Sequence, residues 1–324
     1  MMIEQISEAA LRSLRTTFQG RLTQQASLAR FSSSRIGGPA ELLVTVRSGA
    51  ELAQAAEALW RLSIPFRILG GGSNVLISDR GVRGAVVLNQ AKSVAFKEDA
   101  EVRGVWAESG ASLGSVARRA VERGLSGLEW AATVPGTIGG AVVGNAGAHG
   151  GDVAGVLEVA EILQRNERAQ EWPAARLGYG YRDSWLKRNP GAAVVLSAAF
   201  RLQPSTRKET RARTAEYVEQ RHRTQPQGAS WGSMFKNPPG DHAGRLIEAA
   251  GLKGYRIGGA QISHEHANFF LNLGRATGAD VWELIQLAKR KVADDFGVRL
   301  ELEVELLGEW AQAEAAPADP WGAR

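Results

Sequence analysis

The sequence predicts an α+β protein built from more than one domain. Short apolar strands are spread along most of the 324 residues and alternate with a small number of helices, without an internal repeat. Residues 41–69 resemble a single β-α-β unit, whereas residues 91–202 are dominated by strands. With 44% hydrophobic and 23% charged residues, a chain of this length can bury two or three cores and a large ligand.

The β-α-β unit occupies the first region of the chain. Residues 41–46 alternate as a half-buried strand does, and residues 50–62 carry alanine and leucine at helical spacing. Pro65 ends this helix before the apolar strand Arg67–Leu69, and residues 84–89 form a further buried strand. The glycines that follow Leu69 therefore terminate the unit.

Three consecutive glycines open the stretch Gly70-Gly71-Gly72-Ser73-Asn74. Glycine loses more conformational freedom on folding than any other residue, so three in a row indicate a structural requirement. They let backbone N–H groups approach a bulky anion such as a pyrophosphate, and we expect a Cβ at Gly71 or Gly72 to clash and to resist positive φ. The alternative is a plain glycine turn between two strands. The stretch lacks the lysine of a P-loop, and it leads into a strand rather than the helix of a Rossmann fingerprint.

A second stretch, residues 131–148, consists almost entirely of small residues: Ala-Ala-Thr-Val-Pro-Gly-Thr-Ile-Gly-Gly-Ala-Val-Val-Gly-Asn-Ala-Gly-Ala. A large planar or phosphorylated ligand could lie directly on such a backbone. Together, the two stretches predict a dinucleotide that is held by loops between strands.

The remaining elements follow from periodicity. We predict a strand at 102–107, a helix at 113–123, several strands within 156–202, a polar helix at 207–221, helices at 243–250 and 279–296, and a final strand at 298–307. The aromatic stretch at 177–185 is by itself either a packed turn or part of a site. Alternation in the final strand places Glu301, Glu303 and Glu305 on one face, which for glutamate alone indicates a solvated surface.

Composition narrows the classes of function. The chain has 39 Lys and Arg against 34 Asp and Glu, and its net charge of +5 is spread along the chain, which favours anionic small molecules over nucleic acid. The absence of cysteine excludes disulfides, thiolate metal sites and cysteine nucleophiles. His264 and His266 have no convincing third ligand nearby in the sequence, so we predict no metal site.

The ends of the chain and its hydropathy bear on location. The N-terminus lacks the pattern of a signal peptide, and no apolar run approaches the ~18 residues of a membrane helix. We therefore expect a cytoplasmic protein with no membrane or nucleic-acid partner, and a monomer. The alanine- and proline-rich residues from 311 onward are interpreted as a disordered tail.

Five motifs occur in a fixed order along the chain. They are Gly70-Gly71-Gly72-Ser73-Asn74, Val134-Pro135-Gly136-Thr137-Ile138-Gly139-Gly140, Tyr181-Arg182-Asp183-Ser184, Gly232-Ser233-Met234-Phe235-Lys236-Asn237-Pro238 and Leu300-Glu301-Leu302-Glu303. This series strongly resembles the UDP-N-acetylenolpyruvoylglucosamine reductase family, flavoproteins of peptidoglycan precursor synthesis, from about residue 20 to residue 308. The resemblance implies an FAD-binding fold of the vanillyl-alcohol-oxidase type.

The resemblance also implies a domain division. Residues 1–90 and 91–203 would form two FAD-binding subdomains, residues 204–308 a substrate domain that closes over the sugar nucleotide, and residues 309–324 a tail. The short gap between Arg182 and Ser233 resembles the family's second class, which lacks an inserted loop over the substrate.

Roles for individual residues follow from the same resemblance. Arg182, Ser233 and Glu303 fall on the family's catalytic positions. Arg182 would stabilise the enolate that forms when hydride reaches the enolpyruvyl methylene, and Ser233 would protonate the neighbouring carbon. Glu303 would either stay protonated and hydrogen-bond the enolate or orient its neighbours.

The cofactor implied is a non-covalent FAD, with NADPH as co-substrate and a UDP-sugar as substrate. Tyr181, Lys236 and Asn237 would bind the UDP phosphates or the sugar. The residues implied to hold FAD are Gly70, Gly71, Gly72, Ser73, Asn74, Thr133, Val134, Pro135, Gly136, Gly139, Gly144, Asn145 and Gly147.

Two other functions compete with this one. An oxidase on the same flavin fold often tethers its flavin through His or Cys, whereas this chain has no Cys and only His149 near the flavin loops. A binding module that senses a sugar nucleotide would not need Arg182, Ser233 and Glu303 together.

Overall fold

The computed structural model describes residues 6–98 and 103–310 and arranges them as three sheet-centred parts. The predicted disordered tail from residue 311 lies outside the described residues. Within them, the α+β class predicted from the pattern of strands and helices is confirmed. No helix in these two ranges combines the length and apolarity needed to cross a bilayer.

The first part is a four-stranded sheet covered by two helices. Its elements are α1 (Glu8–Phe18), β1 (Leu22–Ser27), β2 (Pro39–Val46), α2 (Gly49–Arg61), β3 (Phe66–Leu69), β4 (Val75–Ile77) and β5 (Val82–Asn89). The sheet order is β1-β2-β5-β3, with β2 and β3 both parallel to β5. Ser48 caps α2, and Leu52 and Leu59 of that helix are fully buried against the sheet. The predicted β-α-β unit is present, with β5 inserted between its two strands.

The second part is a five-stranded antiparallel sheet with small helices on one face. Its elements are β6 (Val94–Glu98), β7 (Arg103–Glu108), α3 (Leu113–Val121), β8 (Leu125–Ser126), α4 (Ile138–Gly144), β9 (Gly147–Ala148), β10 (Gly151–Asp152), β11 (Leu157–Gln164), β12 (Gln170–Pro173), α5 (Trp185–Arg188), β13 (Ala193–Arg201) and β14 (Gln203–Pro204). The sheet order is β12-β11-β13-β7-β6. Ile138 and Val142 of α4 are buried in the same hydrophobic core as Phe200 of β13, so the second small-residue stretch lies on this core.

The third part is a small antiparallel sheet between helices. Its elements are α6 (Arg207–Thr224), β15 (Ala229–Ser233), α7 (Ala243–Ala249), β16 (Arg256–Ile257), β17 (Ala260–Ile262), β18 (Phe269–Asn272), α8 (Gly278–Phe296) and β19 (Glu305–Leu307). The sheet order is β15-β18-β17-β16. Trp231, Phe235 and Phe270 are buried at its centre.

Three connections join these parts, two of them next to the glycine loop. Strand β4, which follows the loop, leaves the first sheet and pairs in parallel with β19 at the end of the third part. Asp79, just after β4, accepts hydrogen bonds from the first two N–H groups of α8, those of Gly278 and Ala279. Helix α6 packs on the second part, where Thr210 donates to the carbonyl of Val121. The glycine loop is therefore held between the first and third parts.

The prediction of a regular strand over residues 298–307 is wrong. Only Glu305–Leu307 is a strand. The residues before it run alongside the irregular segment after β15, as the bond from Lys236 N–H to the carbonyl of Glu301 shows. The N–H groups of Glu303 and Val304 both donate to the carbonyl of Met234, at 2.9 and 3.4 Å, which interrupts the alternation of a ladder. Consequently the three glutamates do not share one solvated face.

Candidate active site

The two small-residue stretches, about 60 residues apart in sequence, lie against each other. Gly136 lies under the first loop, where a Cβ at Gly71 would lie 3.4 Å from Gly136 Cα and a Cβ at Gly136 would lie 3.0 Å from Ser73 Oγ. A Cβ at Gly70 would overlap Thr137. Gly70 and Gly136 thus leave room for the side chains of Thr137 and Ser73, whereas a Cβ at Gly71 would make an ordinary van der Waals contact with Gly136.

Gly72 has the strongest conformational requirement of the first loop. Its φ is +60°, and a Cβ there would overlap the carbonyl oxygen of Phe31. For Gly71 the expectation of positive φ is wrong, because only Gly72 in this loop adopts it. The single left-handed residue is sufficient to turn the chain from β3 towards β4.

The first loop presents backbone donors. Among the described residues, no protein atom accepts a hydrogen bond from the N–H groups of residues 71–74. Consecutive N–H groups in a glycine turn form an anion-binding concavity. The loop therefore offers donors of the kind that bind a diphosphate, and its assignment to the dinucleotide stays a prediction.

The second stretch presents backbone acceptors. Arg182 donates to the carbonyls of Asn145 and Gly147, at 3.4 and 2.6 Å, and Ser184 donates to the carbonyl of Val143 at 2.6 Å. The guanidinium of Arg221, from α6, donates to the carbonyl of Thr133 at the other end of the stretch. This part of the site therefore serves as a scaffold for cationic side chains.

Some residues of this stretch are engaged by the protein itself, and others border open space. The amide of Asn145 donates to Asp152 and to the carbonyl of Gly180, and its oxygen accepts from Ala154, so the buried side chain is fully engaged. Gly139 packs on Ser109, to whose carbonyl it donates at 2.7 Å. By contrast, a Cβ at Gly144 would meet no atom within 4 Å, and Pro135 is exposed. Open surface for a ligand therefore exists beside Gly144 and Pro135.

Arg182 and Glu303 form the central charged pair. Arg182 Nε lies 2.8 Å from Glu303 Oε1, outside the line of its N–H bond, so the contact is an ion pair rather than an aligned hydrogen bond. Arg182 has φ +55°, an unusual conformation for a side chain of this size, at the corner of the turn between Gly180 and Asp183. Burial raises the pKa of the Glu303 carboxyl, while nearby positive charge, chiefly that of Arg182, opposes the shift.

Ser233 lies beside the Glu303 segment. It is the last residue of β15, and the next residue, Met234, accepts the backbone N–H of Glu303. Asn268 fixes this turn, because its buried amide exchanges two hydrogen bonds with the backbone of Phe235 at 2.9 and 2.8 Å. The structure thus brings Arg182, Glu303 and the Ser233 turn to one place, and their catalytic roles stay predictions.

The predicted substrate contacts surround this place. Tyr181 is 57% exposed, and its ring centre lies 5.6 Å from the guanidinium carbon of Arg182. Lys236 Nζ lies 3.4 Å from Glu301 Oε2. Asn237 is exposed, and its side-chain oxygen accepts from Ala243 at the start of α7.

Sequence reasoning assigned no function to Asn268 or Lys187, and it treated Asn74 only as a cofactor contact. The amide of Asn74 donates to the carbonyl of Glu303 at 3.1 Å, and its own carbonyl accepts from Glu305 at 3.0 Å. Lys187 lies 3.5 Å from Glu305. No sequence pattern identifies these long-range partners, although Asn74 and Glu303 both belong to the ordered motifs.

Within residues 6–98 and 103–310, no group of three His, Asp or Glu side chains is arranged to hold a metal ion.

Comparisons with known proteins agree with this architecture. A family model described as the UDP-N-acetylenolpyruvoylglucosamine reductase C-terminal domain matches residues 224–307, and a model of an FAD binding domain matches residues 40–164. The UDP-N-acetylenolpyruvoylglucosamine reductase of Chloroflexus aggregans is 44% identical over 284 residues, covering 86% of this chain and 95% of that protein. The protein of the same name from Rubrobacter xylanophilus is 44% identical over 283 residues, covering 87% and 94%.

A solved structure supports the same assignment. UDP-N-acetylenolpyruvylglucosamine reductase from Thermus caldophilus matches with a TM-score of 0.75 and 37% identity, over 88% of this chain and 98% of that one. The predicted flavin-binding fold is therefore confirmed by both the family models and this structure. On sequence identity that extends over most of both lengths, the chain belongs to the UDP-N-acetylenolpyruvoylglucosamine reductase family of FAD-dependent oxidoreductases.

Proposed function

We propose that this chain reduces UDP-N-acetylglucosamine enolpyruvate to UDP-N-acetylmuramate in cytoplasmic peptidoglycan precursor synthesis, with NADPH as the reductant and Ser233 as the proton donor. One observation carries the proposal: the Arg182–Glu303 pair is held between the two glycine loops. Arg182 rests on carbonyls of the second stretch, and the Glu303 segment is tied to Asn74 of the first.

The chemistry that a bound FAD would supply is hydride transfer from NADPH to the enolpyruvyl methylene. The residues suited to hold FAD are the backbone donors at 71–74 and the open surface beside Gly144. The first is linked through Asn74 to the Glu303 segment, and the second is adjacent in sequence to the carbonyls of Asn145 and Gly147 that hold Arg182. This arrangement supports transfer between a dinucleotide and a carboxylate substrate.

Arg182 is suited to bind the substrate carboxylate. Addition of hydride at the methylene carbon turns it into a methyl group and leaves an electron pair on the carbon that bears the ether oxygen, delocalised into the carboxylate as an enolate. A guanidinium offers two parallel donors to such a group and stabilises the developing charge. The rigid contacts of Arg182 with Asn145 and Gly147 would fix its orientation before substrate arrives.

Glu303 would change from the ion-pair partner of Arg182 to a hydrogen-bond donor when substrate binds. In the structure its carboxylate is the counter-ion of Arg182. A substrate carboxylate would compete for the same guanidinium, and burial, which already raises the pKa of Glu303, would then favour its protonated form. A neutral Glu303 can donate a hydrogen bond to the enolate, which is the first of the two roles considered from the sequence.

Ser233 would deliver the proton to the carbon. A hydroxyl is a weak acid, but protonation of a carbanion does not require a strong one. The hydrogen-bonded turn from Met234 to Lys236 fixes Ser233 next to the Glu303 segment. The lysine and asparagine that follow, Lys236 and Asn237, together with Tyr181, would contact the UDP-sugar.

Separated half-reactions test this proposal. In the absence of oxygen, NADPH should bleach the flavin of the wild-type enzyme and of Ser233→Ala at the same rate. The enolpyruvyl substrate should then restore the colour of the wild type, whereas Ser233→Ala should stall. Ser233→Cys, with a more acidic donor at nearly the same point, should recover part of the second step. Ser230→Ala, in the same strand, serves as the matched control.

Isotopes locate the proton. In deuterium oxide, the wild-type product should carry solvent deuterium at the carbon that bears the ether oxygen and the hydride of labelled NADPH at the methyl group. Wild-type reoxidation by Ser233→Ala would rule out the proton-donor role. Rapid reoxidation by air with no response to the UDP-sugar would instead indicate the oxidase, and binding of the UDP-sugar without reoxidation would indicate the binding module.

A further inference from the structure

Two ion pairs join the second part of the protein to the Glu303 segment. Arg182 contacts Glu303 at 2.8 Å, and Lys187 contacts Glu305 at 3.5 Å. Both cations project from the short segment 182–188, and both carboxylates belong to the segment 303–305. The pairs therefore lie side by side across the same junction.

The segment that carries Lys187 is itself fixed. Ser184 is fully buried and donates to the carbonyl of Val143 in α4, and its hydroxyl accepts the N–H of Lys187. The Lys187 side chain is only 21% exposed, compared with 49% for Glu305. Lys187 thus starts from an anchored helix end rather than from a mobile loop.

The carboxylate partner is fixed on its other side. The N–H of Glu305 donates to the carbonyl of Asn74, and the side chain of Asn74 donates to the carbonyl of Glu303. Strand β19 then continues in parallel with β4. A contact between Lys187 and Glu305 therefore connects the scaffold of Arg182 to the first glycine loop through a single residue.

We infer that Lys187 is a positioning residue for the reduction, because its ion pair with Glu305 holds the Glu303 segment against the Arg182 turn. This inference rests on the proposed function. If the substrate carboxylate takes Arg182 away from Glu303, the neighbouring Lys187–Glu305 pair still joins the two segments. Glu303 then stays within reach of the enolate while its own ion pair is broken.

Substitution of Lys187 tests the inference. Lys187→Met keeps the length of the side chain and removes the charge, and Lys187→Arg restores the charge. Because misplacement of a reacting group slows chemistry while a partly exposed ion pair is itself weak, we expect reoxidation of the reduced flavin by substrate to slow about tenfold in Lys187→Met. Lys187→Arg should recover most of this loss. Flavin content and reduction by NADPH should be unchanged.

Two controls separate positioning from general damage. Lys253→Met removes a surface lysine that pairs with Glu248 at 2.9 Å and belongs to none of the ordered motifs, and it should change neither half-reaction. Glu305→Gln should reproduce the effect of Lys187→Met, and the double variant should be no slower than either single one, because all three lose the same contact.

A second readout is independent of turnover. The carboxyl of Glu303 can be followed by carbon NMR through a pH titration, with Glu303→Gln identifying its signal. The cations that face it are Arg182, Lys187 and Lys236, and the neighbouring anions are Glu301 and Glu305. Removal of the positive charge in Lys187→Met should raise the pKa of Glu303, and Lys187→Arg should reverse the change.

The outcomes distinguish the two hypotheses. If wild-type reduced flavin fails to respond to the enolpyruvyl substrate, the proposed function fails, while the titration still decides whether Lys187 acts on Glu303. If wild type turns over and Lys187→Met behaves as Lys253→Met does in both readouts, the positioning role is wrong. Loss of flavin or of NADPH reduction in Lys187→Met would make Lys187 a merely structural residue and would also overturn the inference.

Discussion

The two glycine-rich regions look alike in sequence but differ in the side chains that engage their backbones. The N–H groups of residues 71–74 donate no hydrogen bond to any described protein atom. In the stretch from Thr133 to Gly147, by contrast, backbone carbonyls accept hydrogen bonds from the side chains of Arg221, Ser184 and Arg182. The first is suited to an anion, and the second to cations. A glycine-rich composition therefore predicts close approach to the backbone but not the polarity of the surface that is exposed.

The same difference explains how the site combines its charges. A diphosphate on the first loop and a guanidinium on the second can lie next to each other because the loops themselves touch at Gly71 and Gly136. Asn74 extends the first loop to Glu303, and Arg182 extends the second loop to the same residue. Glu303 is thus the point at which the two loops meet through side chains.

The largest effect is expected from Gly72→Ala, which tests whether the first loop is the anion site. The substitution forces a side chain into positive φ, at a cost of roughly 1–2 kcal/mol, and drives it into the carbonyl of Phe31. The donors at 71–74 should then be displaced. Since a hydrogen bond to a charged group contributes about 1.5–3 kcal/mol, the loss of two should weaken FAD about 100-fold or more, as measured by flavin content and titration of the apoprotein.

Gly84→Ala is the matched control for this change. Gly84 has φ +76°, and a Cβ there would overlap the carbonyl of Pro65, so the steric problem is equivalent but distant from the loops. Both variants should lower the melting temperature, whereas only Gly72→Ala should lose flavin while circular dichroism shows a folded chain. Equal flavin affinity in the two variants would remove the first loop from the cofactor site.

The next effect concerns the cation held by the second stretch. Arg182→Lys keeps the charge but loses the fork that contacts the carbonyls of Asn145 and Gly147, so we expect turnover to fall about 10²–10³-fold. Reduction of flavin by NADPH should persist. Arg245→Lys, at a two-pronged surface pair with Asp241, should be silent. Turnover of Arg182→Lys within a few-fold of wild type would make Arg182 a structural residue of the turn.

The sequence predicts most of the candidate site, but not its connections. The glycine loop is predicted from its composition, whereas Arg182, Ser233 and Glu303 are predicted from the family resemblance that the ordered motifs carry. The prediction of the final strand was wrong because the N–H groups of Glu303 and Val304 both donate to the carbonyl of Met234. An alternating sequence gives no sign of such a tertiary contact. The structural roles of Asn268 and Lys187 were not predicted for the same reason, because their partners Phe235 and Glu305 are distant in sequence. The sequence could not show which of Gly71 and Gly72 adopts positive φ, because glycine can adopt it at either position.

A smaller effect should follow from Glu303→Gln, which tests whether the two loops meet at a titrating group. Because burial raises the pKa of Glu303, the folded chain holds a proton that the unfolded chain has lost between the ordinary value and the raised one. Stability from this group is therefore present at low pH and is lost as pH rises through the raised pKa. If the protonated form assists the enolate, the second half-reaction should also slow as pH rises through the same range.

Glutamine keeps a neutral hydrogen-bonding group at this position. Glu303→Gln should therefore flatten the pH profile of the second half-reaction and stay within about tenfold of wild type at low pH, while Glu303→Ala should lose about 10²-fold. Glu301→Gln, on the same segment but 75% exposed, should keep the wild-type profile. A wild-type profile that instead falls towards low pH would show that the carboxylate is the active form.

The smallest effect is expected from Gly144→Ala, which asks how far the ligand extends over the second stretch. Gly144 ends α4 without positive φ, and its Cβ would enter open space, so replacement of a helical glycine should leave stability unchanged or raise it by up to about 1 kcal/mol. Gly20→Ala, equally unobstructed and remote, controls for this backbone effect. If FAD lies over Gly144, the added methyl group should weaken its binding a few-fold even as the melting temperature holds. Unchanged flavin affinity would confine the cofactor to the first loop and the near end of the second, leaving the far end to hold Arg182 alone.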